Sequence, residues 1–323
     1  MIERLIRVLE LAGTPGAALA AARCRPFSLA SFQVVSALRR AGIRPATVID
    51  VGANVGQFAM AVRHLLPGAA IRAIEPDPDV AQRLRRNLGT VADATVFCTA
   101  IGDRLGTVTF NVNRDPQVSS ILPLGEDRRQ IFPTSEVLRQ ITVPLTTLDA
   151  LIGADSIEAP VLIKIDVQGY EDRVIAGAAR LLQHVDWVIL EVAFARLYDG
   201  EHTFTALADL LAEHGFGFVR PLNFHRARHT QEVIEMDALF AREPTVARAF
   251  ERGDLIVSSG AAAAQSADTE EPAGPRRRDA AALIADRRGA GPPTRERSTH
   301  DAIGARAAAS PAAIGDNRPK RNA

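Results

Sequence analysis

A buried strand that leads directly into a glycine turn constrains the fold of this chain more than any other feature. Residues 48–51 read Val-Ile-Asp-Val, and the turn that follows holds Gly52 and Gly56 before a helical pattern begins. Only glycine lets the main chain approach a ligand this closely, so the pattern predicts a nucleotide-like cofactor that lies against bare backbone. An ordinary tight turn without a ligand is the other interpretation that the turn alone allows.

A second apolar strand supports the ligand interpretation. Residues 70–74 are followed by Glu75, and a carboxylate at the end of the second strand of such a unit binds the two hydroxyls of a ribose. The two strand ends together therefore predict an adenosine cofactor that is held at one edge of a sheet.

The residues of the turn indicate which adenosine cofactor this is. A dinucleotide site needs G-x-G-x-x-G, whereas this turn has G-x-x-x-G, with Asn54 where a further glycine would be needed. Asp50 would repel a pyrophosphate at close range and suits a ligand that carries positive charge there. S-adenosylmethionine has an amino group, a sulfonium and no phosphate, so it is the predicted cofactor. An NAD(P)-dependent oxidoreductase remains the alternative enzyme.

Composition excludes several classes of partner. The 38 basic and 38 acidic side chains balance, which gives no global field for nucleic acid, and no window is apolar enough to predict an integral membrane segment. Cys24 and Cys98 are the only cysteines, and neither they nor the seven histidines have a metal-ligand spacing. We therefore expect no metal, no disulfide framework and a cytoplasmic location.

Strand-like and helix-like segments alternate along much of the chain. This alternation predicts βαβ units and an α/β fold with a mostly parallel central sheet and helices on both faces. The predicted strands lie near 47–51, 71–75, 94–98, 161–165, 187–192 and 216–220, and the predicted helices near 56–66, 78–88, 171–183 and 203–214.

Composition and pattern also divide the chain into segments. We predict a helical lead-in at 1–46, a catalytic domain at 47–258 and a disordered tail at 259–323. An insertion at 103–160 separates the third and fourth predicted strands, and we expect it to act as a substrate lid.

Two parts of the insertion have different patterns. Residues 106–112 alternate like an exposed strand and predict a hairpin. Residues 113–140 are polar and irregular, which predicts a loop over the carboxyl edge of the sheet.

A further strand that ends in a carboxylate is a candidate catalytic element. Residues 161–165 are apolar except for Lys164, and Asp166 follows at the carboxyl end, the edge where open α/β sheets bind ligands. A buried lysine needs a partner, so we expect this one to pair with Asp50, Asp166 or Glu191 rather than to act as a catalytic group.

Three residues are candidate general bases. Asp166 is favoured by its position, Glu191 ends the next strand and faces the same crevice, and His202 begins a helix near that edge. His202 has no mapped partner and also fits an ordinary surface histidine, which is the more common case.

The strand ends and turns described above belong to a larger set of short motifs. The set comprises Asp50–Gly56, Glu75–Pro76, Ala100–Asp103, Ser119–Ser120, Val143–Asp149, Lys164–Glu171 and Asp237–Phe240. Together these motifs resemble the FkbM family of S-adenosylmethionine-dependent methyltransferases. The similarity covers roughly residues 45–242. The Lys-Ile-Asp-Val block at 164–167 is its most discriminating part, because the glycine motif is shared by many methyltransferases.

The resemblance implies a Rossmann-like class I methyltransferase fold whose last strand is reversed. It also implies methyl transfer to oxygen, with a hydroxyl of a sugar, a glycan or a secondary metabolite as the small-molecule or glycan acceptor. A catalytically inactive module that keeps the cofactor fold for binding is the alternative from another class.

The resemblance also implies roles for individual residues. By motif match, residues 50–56 hold the methionine portion, Glu75 holds the ribose, and residues 100–102 hold the adenine edge. Gln168 stands where the family often has glutamate, which weakens the case for a second carboxylate base or a metal ligand at this position. The predicted cofactor-binding residues are Asp50, Gly52, Asn54, Gly56, Phe58, Glu75, Pro76, Ala100, Ile101 and Asp166.

Overall fold

The structure, a computed structural model, describes residues 11–242 of the chain. The positions left out of this range are 90, 92, 132–134 and 227–231, together with the side chains of 129 and 130. The predicted tail at 259–323 and the first ten residues of the predicted lead-in lie outside the described residues. Within the described range, no helix combines the length and the apolar character that crossing a bilayer requires.

Helices and strands alternate through the described part of the chain, as the sequence predicts. The strands are β1 (Thr47–Val51), β2 (Ala70–Ile74), β3 (Ala94–Phe97), β4 (Ala100–Ile101), β5 (Gly106–Asn113), β6 (Val137–Thr146), β7 (Val161–Ile165), β8 (Trp187–Ala193), β9 (Phe216–Arg226) and β10 (Val233–Arg242). The α-helices are α1 (Ala17–Arg23), α2 (Leu29–Arg40), α3 (Gln57–Leu65), α4 (Pro78–Leu88), α5 (Glu126–Ile131), α6 (Leu148–Leu151), α7 (Glu171–Ala176) and α8 (Phe204–Glu213). Short 3₁₀ turns lie at Pro116–Val118, Ala154–Ser156 and Leu181–His184.

Seven of the described strands form the main sheet, in the order β3-β2-β1-β7-β8-β10-β9. The pairs from β3 to β8 are all parallel, whereas β10 runs antiparallel to both β8 and β9. A mostly parallel sheet with this reversed last strand is the Rossmann-like class I methyltransferase fold. The predicted fold class is therefore confirmed.

The main sheet has a hydrophobic core on each face. Alternate residues of a strand point to opposite faces. In β1, Ile49 and Val51 pack in a buried cluster with residues of α7 and α8, whereas Val48 packs in another with residues of α2, α3 and α4. Helices thus cover both faces, as predicted. Strands β1 and β7 are buried along their whole length, which explains why their sequences are apolar runs rather than alternating patterns.

The insertion between β4 and β7 forms a small sheet of its own. Strand β5 pairs antiparallel with β6, as the predicted hairpin requires, and β6 also pairs in parallel with β4. The irregular loop predicted at 113–140 is partly wrong, since α5 lies within it and β6 begins at Val137. Residues 137–140 are exposed, so this part of β6 lacks the apolar alternation by which a strand is recognised.

The single helix predicted at 171–183 is wrong, because the chain forms two separate segments there. Helix α7 covers only the first part, and a 3₁₀ turn follows at Leu181–His184. A Cβ atom on Gly177 would lie 1.9 Å from the carbonyl oxygen of Gly102, so the helix stops where two main chains touch. The Asp149 carboxylate then accepts hydrogen bonds of 2.8–3.1 Å from backbone N–H groups at the start of the second segment.

Candidate active site

The glycine turn after β1 is built around a close approach of two main chains. Gly52 has a φ of 82°, and a Cβ atom there would lie 1.9 Å from the carbonyl oxygen of Asp166. Asn54 also adopts a left-handed conformation, with a φ of 49°, which asparagine tolerates better than most residues. Its Oδ1 accepts a hydrogen bond of 2.7 Å from the Val55 N–H. The turn therefore brings the carboxyl ends of β1 and β7 into contact.

Asp50 is a buried carboxylate at this edge of the sheet. The residue is fully buried, and neither carboxylate oxygen has a hydrogen-bond partner among the described residues. Burial raises the pKa of Asp50 to about 6, against the opposing attraction of Lys164, which lies beside it in the β1–β7 register. An unpaired buried carboxylate costs free energy, so this arrangement favours a ligand that brings a hydrogen-bond donor or a cation.

Glu75 ties the end of β2 to the glycine turn. Its Oε2 accepts a hydrogen bond of 3.0 Å from the Asn54 N–H, and its Oε1 accepts one of 2.9 Å from the Asp77 N–H. Burial raises the pKa of Glu75 to about 7, although these two hydrogen bonds oppose the shift. Each carboxylate oxygen keeps a further lone pair, so the group can still accept hydrogen bonds from a ligand.

A cleft with about 820 Å³ of empty space, partly open to solvent, lies at the carboxyl edge of β1, β2 and β7. We call it the first cleft. Residues of the insertion between 116 and 121 form part of its wall, which places this segment over the sheet edge as the sequence predicts. The predicted cofactor-binding residues that line the first cleft are Asp50, Gly52, Asn54, Phe58, Glu75, Pro76, Ala100, Ile101 and Asp166.

Lys164 and Asp166 form an ion pair at the end of β7. The Lys164 Nζ lies 2.7 Å from Asp166 Oδ2, so the expected pairing of this lysine with a carboxylate is confirmed. Burial alone would lower the pKa of Lys164, but the carboxylates around it, with Asp166 foremost, raise it. Burial alone would raise the pKa of Asp166, but Lys164 and a hydrogen bond from Gln168 lower it. Asp166 is therefore a stably ionised carboxylate.

A second cleft adjoins the first across Lys164, Asp166 and Gln168, which line both. It contains about 1310 Å³ of empty space. Glu191 lines only this second cleft, where its Oε2 accepts a hydrogen bond from the Gln168 side chain. The other polar side chains of its wall are Ser28, Ser31, Asp115, Gln117, Arg128, His225, Arg226, Glu235 and Asp237.

The environment of Glu191 differs from that of Asp166. Burial raises the pKa of Glu191 well above its usual range, and the neighbouring carboxylates, with Asp166 foremost, raise it further, while Lys164 opposes the shift. The His225 Nε2 lies 3.8 Å from Glu191 Oε1. Glu191 therefore takes up a proton more readily than Asp166 does.

The segment of the chain that contains the glycine turn and these strand ends matches a known family. Residues 50–218, about half of the chain, match the family described as the methyltransferase FkbM domain. This chain belongs to the FkbM methyltransferase family. The match spans the glycine turn, Glu75 and the block at 164–171, so the resemblance seen in these motifs is confirmed. The protein is an FkbM-like methyltransferase.

Three curated methyltransferases are similar to this FkbM-family protein. The 2-O-methyltransferase NoeI of Sinorhizobium fredii is 30% identical over 187 residues, which cover 55% of this chain and 75% of that protein. The 31-O-demethyl-FK506 methyltransferase FkbM of Streptomyces tacrolimicus is 28% identical over 200 residues, again covering 55% and 75%. The hexuronic acid methyltransferase AglP of Haloferax volcanii is 28% identical over 143 residues, covering 44% and 54%.

Two predicted site residues lie outside both clefts. Gly56 begins α3 with a φ of 97°, and a Cβ atom there would lie 2.8 Å from Leu84, so it supports the packing of the turn. The His202 Nδ1 lies 3.4 Å from Asp172 Oδ2, and the His202 side chain is 42% exposed. A general base must reach the proton that it takes, so we do not retain His202 as a candidate.

Several residues of the second cleft have no role in the sequence-based predictions, although Asp237 begins the last of the motifs. His225, Glu235 and Asp237 come from the last two strands of the sheet. Asp237 carries a signal that a sequence can show, since it is a charge inside a mostly apolar strand, as Lys164 is in β7. The register of β10 with β8 places Asp237 opposite Glu191.

Proposed function

We propose that this FkbM-family protein is an S-adenosylmethionine-dependent O-methyltransferase whose acceptor is a hydroxyl of a sugar, a glycan or a secondary metabolite. The assignment of the cofactor depends on Asp50, a buried carboxylate in the wall of the first cleft. Neither of its oxygens has a hydrogen-bond partner among the described residues. Membership of the family supports the reaction type. The adjoining second cleft offers room for an acceptor.

The residues of the first cleft fit the chemistry of S-adenosylmethionine. The Asp50 carboxylate suits the ammonium of the methionine portion, since a cation offsets the free energy of burying that charge, whereas a pyrophosphate would be repelled. The spare lone pairs of Glu75 suit the two ribose hydroxyls. When bound, the cofactor supplies an electrophilic methyl group on a sulfonium. The other residues that we assign to it are Gly52, Asn54, Phe58, Pro76, Ala100, Ile101 and Asp166, while Gly56 supports the turn from outside the cleft.

Glu191 is the residue best suited to take the proton of an acceptor hydroxyl. The hydroxyl must lose this proton during methyl transfer, and a raised pKa makes Glu191 the stronger base of the two strand-end carboxylates. Asp166, held ionised by Lys164, is suited to orienting rather than to accepting a proton. Since transfer of a methyl group depends mainly on alignment, the residues between the two clefts matter as much as the base.

The wall of the second cleft supports a hydroxylated acceptor. It mixes carboxylates with cationic donors, and a hydroxyl group can donate to the first and accept from the second. Two relatives are named for hexuronic acid and for 31-O-demethyl-FK506, so both a sugar and a secondary metabolite occur among the acceptors of similar proteins.

We assign this function to the segment at 47–258, with the insertion at 103–160 as the part that closes over the acceptor. Gln117 of the insertion lines both clefts, which supports that role. Ser31 of α2 also lines both, so the lead-in at 1–46 contributes to the site as well.

Isothermal titration calorimetry with S-adenosylmethionine tests the cofactor assignment. We expect the full-length chain to bind it, and Asp50→Ala and Glu75→Ala to lose binding. Asp155→Ala is a matched control, because Asp155 is exposed and lines neither cleft. Affinity equal to the wild type in both site variants would contradict the assignment.

Transfer of a labelled methyl group tests the reaction. We expect label from S-adenosylmethionine to enter the glycan or secondary-metabolite fraction of a cell extract. The label should resist mild alkali, since a methyl ether on a hydroxyl is stable there and a methyl ester on a carboxylate is not. Binding of the cofactor without transfer to any fraction would instead point to an inactive module.

A further inference from the structure

Gln168 lies between the two clefts in a backbone conformation that its residue type rarely adopts. Its φ is 61°, in the left-handed region, and the residue is only 9% exposed. Its carbonyl oxygen accepts a hydrogen bond of 2.6 Å from the Ser120 hydroxyl, which holds the main chain in place. The side chain is thereby aimed at the carboxylates that end β7 and β8 rather than at solvent.

Carboxylates use both N–H donors of the Gln168 amide. Nε2 donates to Asp166 Oδ1 at 2.9 Å and also to Oε2 of Glu191. A side-chain amide has two such donors, so one neutral group bridges two carboxylates that would otherwise repel each other.

Tyr198 orients the Gln168 amide. The Tyr198 hydroxyl donates to Gln168 Oε1 at 2.6 Å, and the tyrosine is buried. The opposite orientation of the amide would place Oε1 against two carboxylate oxygens with no hydrogen between them. The contacts therefore select one orientation, in which the nitrogen faces the carboxylates.

We propose that Gln168 is the positioning residue of this site, and that its amide holds the Glu191 carboxylate at the second cleft and Asp166 at the boundary of both. The inference rests on the proposed function, in which Glu191 takes the proton of the acceptor. Without the amide, the two carboxylates would separate or share a proton. In either case Glu191 would no longer offer a fixed, free oxygen to an acceptor hydroxyl.

Neither His225 nor Lys164, which both lie near Glu191, can hold its carboxylate in place by a hydrogen bond. The nearest ring nitrogen of His225, at 3.8 Å, is too far for a hydrogen bond, and Lys164 is bonded to Asp166. Asp166 accepts a hydrogen bond from Glu191 only while Glu191 is protonated, so among the described residues Gln168 is the side chain that donates to the ionised Glu191 carboxylate. The titratable and charged groups around it are Lys164 and Asp166 at the end of β7, Tyr198, His225 of β9, Glu235 and Asp237 of β10, and Arg128 of α5, which pairs with Glu235.

Carbon-13 NMR of the full-length chain tests the inference with neither cofactor nor acceptor present. Glutamate labelled at its carboxyl carbon gives a resonance for Glu191, which is assigned by its loss in Glu191→Gln and followed against pH. Gln168→Met keeps the length of the side chain and removes the amide. We expect it to raise the midpoint of the Glu191 titration by about one pH unit, because the charged form loses its hydrogen-bond donor.

Two further variants keep the test decisive if Gln168→Met unfolds. Tyr198→Phe removes the hydroxyl that orients the amide, together with its contact to the Val118 carbonyl, so it should raise the midpoint in the same direction by a smaller amount. Gln183→Met is the matched control, since it makes the same substitution at an exposed residue that lines neither cleft, and its Glu191 midpoint should equal that of the wild type. Unchanged midpoints in the folded Gln168 and Tyr198 variants would overturn the inference, as would an equal shift in Gln183→Met.

Calorimetry on the same variants separates this inference from the proposed function. The wild type should bind S-adenosylmethionine, and the Glu191 midpoint should shift in Gln168→Met. Failure of the wild type to bind S-adenosylmethionine would overturn the proposed function, and with it the role of Glu191, even if the midpoints shift as expected. Normal binding with unshifted midpoints would overturn the role of Gln168 alone.

Discussion

At the scale of single residues, Asp50 opposes the stability of the ligand-free fold. Burial raises its pKa from 3.8 to about 6. An acid whose pKa is raised by folding contributes stability that is fully present below pH 3.8 and is lost as the pH rises through about 6. A shift of this size corresponds to about 3 kcal/mol in the free energy of unfolding. The charged Asp50 therefore destabilises the ligand-free protein at neutral pH.

Asp50→Asn should stabilise the ligand-free protein at pH 7 and abolish binding of S-adenosylmethionine. Asparagine keeps the shape and removes the charge, so the free energy of unfolding should rise by up to about 3 kcal/mol. The loss of stability between about pH 4 and pH 6 should shrink accordingly. Urea unfolding at several pH values and calorimetry measure the two effects, with Asp155→Asn as the exposed control. A variant that is less stable and still binds the cofactor would refute this account.

Glu191→Gln should lower the rate of methyl transfer by about 10²- to 10⁴-fold without changing cofactor affinity. Glutamine keeps the shape but cannot take a proton. In the wild type, the rate should rise with pH as Glu191 ionises, and this rise should lie above the usual glutamate range because burial and nearby carboxylates raise its pKa. Initial rates across pH measure both effects, and Glu213→Gln in the exposed part of α8 is the control. A Glu191→Gln variant with the wild-type profile would leave Asp166 as the base.

At the scale of elements, the turn between β1 and α3 needs glycine at position 52 for two reasons. The backbone there has a positive φ, and a side chain would have no space beside the main chain of Asp166. Gly52→Ala would place a Cβ atom 1.9 Å from the main-chain oxygen of Asp166, so we expect it to separate β1 from β7 and to prevent stable folding. Gly42→Ala is a matched control, because Gly42 has a similar φ of 75° and nothing within 4 Å. It should cost only backbone strain, about 1–2 kcal/mol. Urea unfolding measures the free energy of unfolding of both variants. An equal decrease in the two would show that the main chain relieves the clash at Gly52 with little loss of stability.

The strands, turns and helices whose sequence patterns lie close together in the chain could be predicted from the sequence. Asp50 lies near the end of an apolar strand, and Glu75 and Asp166 each follow one directly. In each case the next turn and helix lie within the same short stretch of chain. The break in the helix predicted at 171–183 could not be predicted, because its cause is a contact with Gly102, far away in the chain.

The second cleft depends on how strands are ordered, which the sequence shows less directly. Glu191, His225 and Asp237 lie on β8, β9 and β10, and the sheet places β10 between the other two. A linear pattern does not contain this order. The sequence identifies Gln168 as a departure from the usual glutamate, but only the structure shows Tyr198 on its amide oxygen.

At the scale of the whole molecule, the main sheet and both clefts are built by residues well before the predicted tail. Among the residues that the structure describes, those that line the two clefts lie between Ser28 and Asp237. Strand β10 lies between β8 and β9 in the main sheet, and its Ala238 and Phe240 are fully buried. The unit that binds the cofactor should therefore need β10 and nothing after the segment assigned at 47–258.

A chain that ends at residue 258 should bind S-adenosylmethionine with the affinity of the full-length protein and unfold with the same free energy. A chain that ends at residue 231 is the control. It lacks β10, so it exposes the core around Phe240, removes Asp237 from the second cleft and leaves β9 and one edge of β8 unpaired, and we expect it not to fold. Calorimetry and urea unfolding compare the three lengths. Weaker binding by the chain that ends at 258 would mean that residues beyond this boundary contribute to the site, and the boundary would have to move.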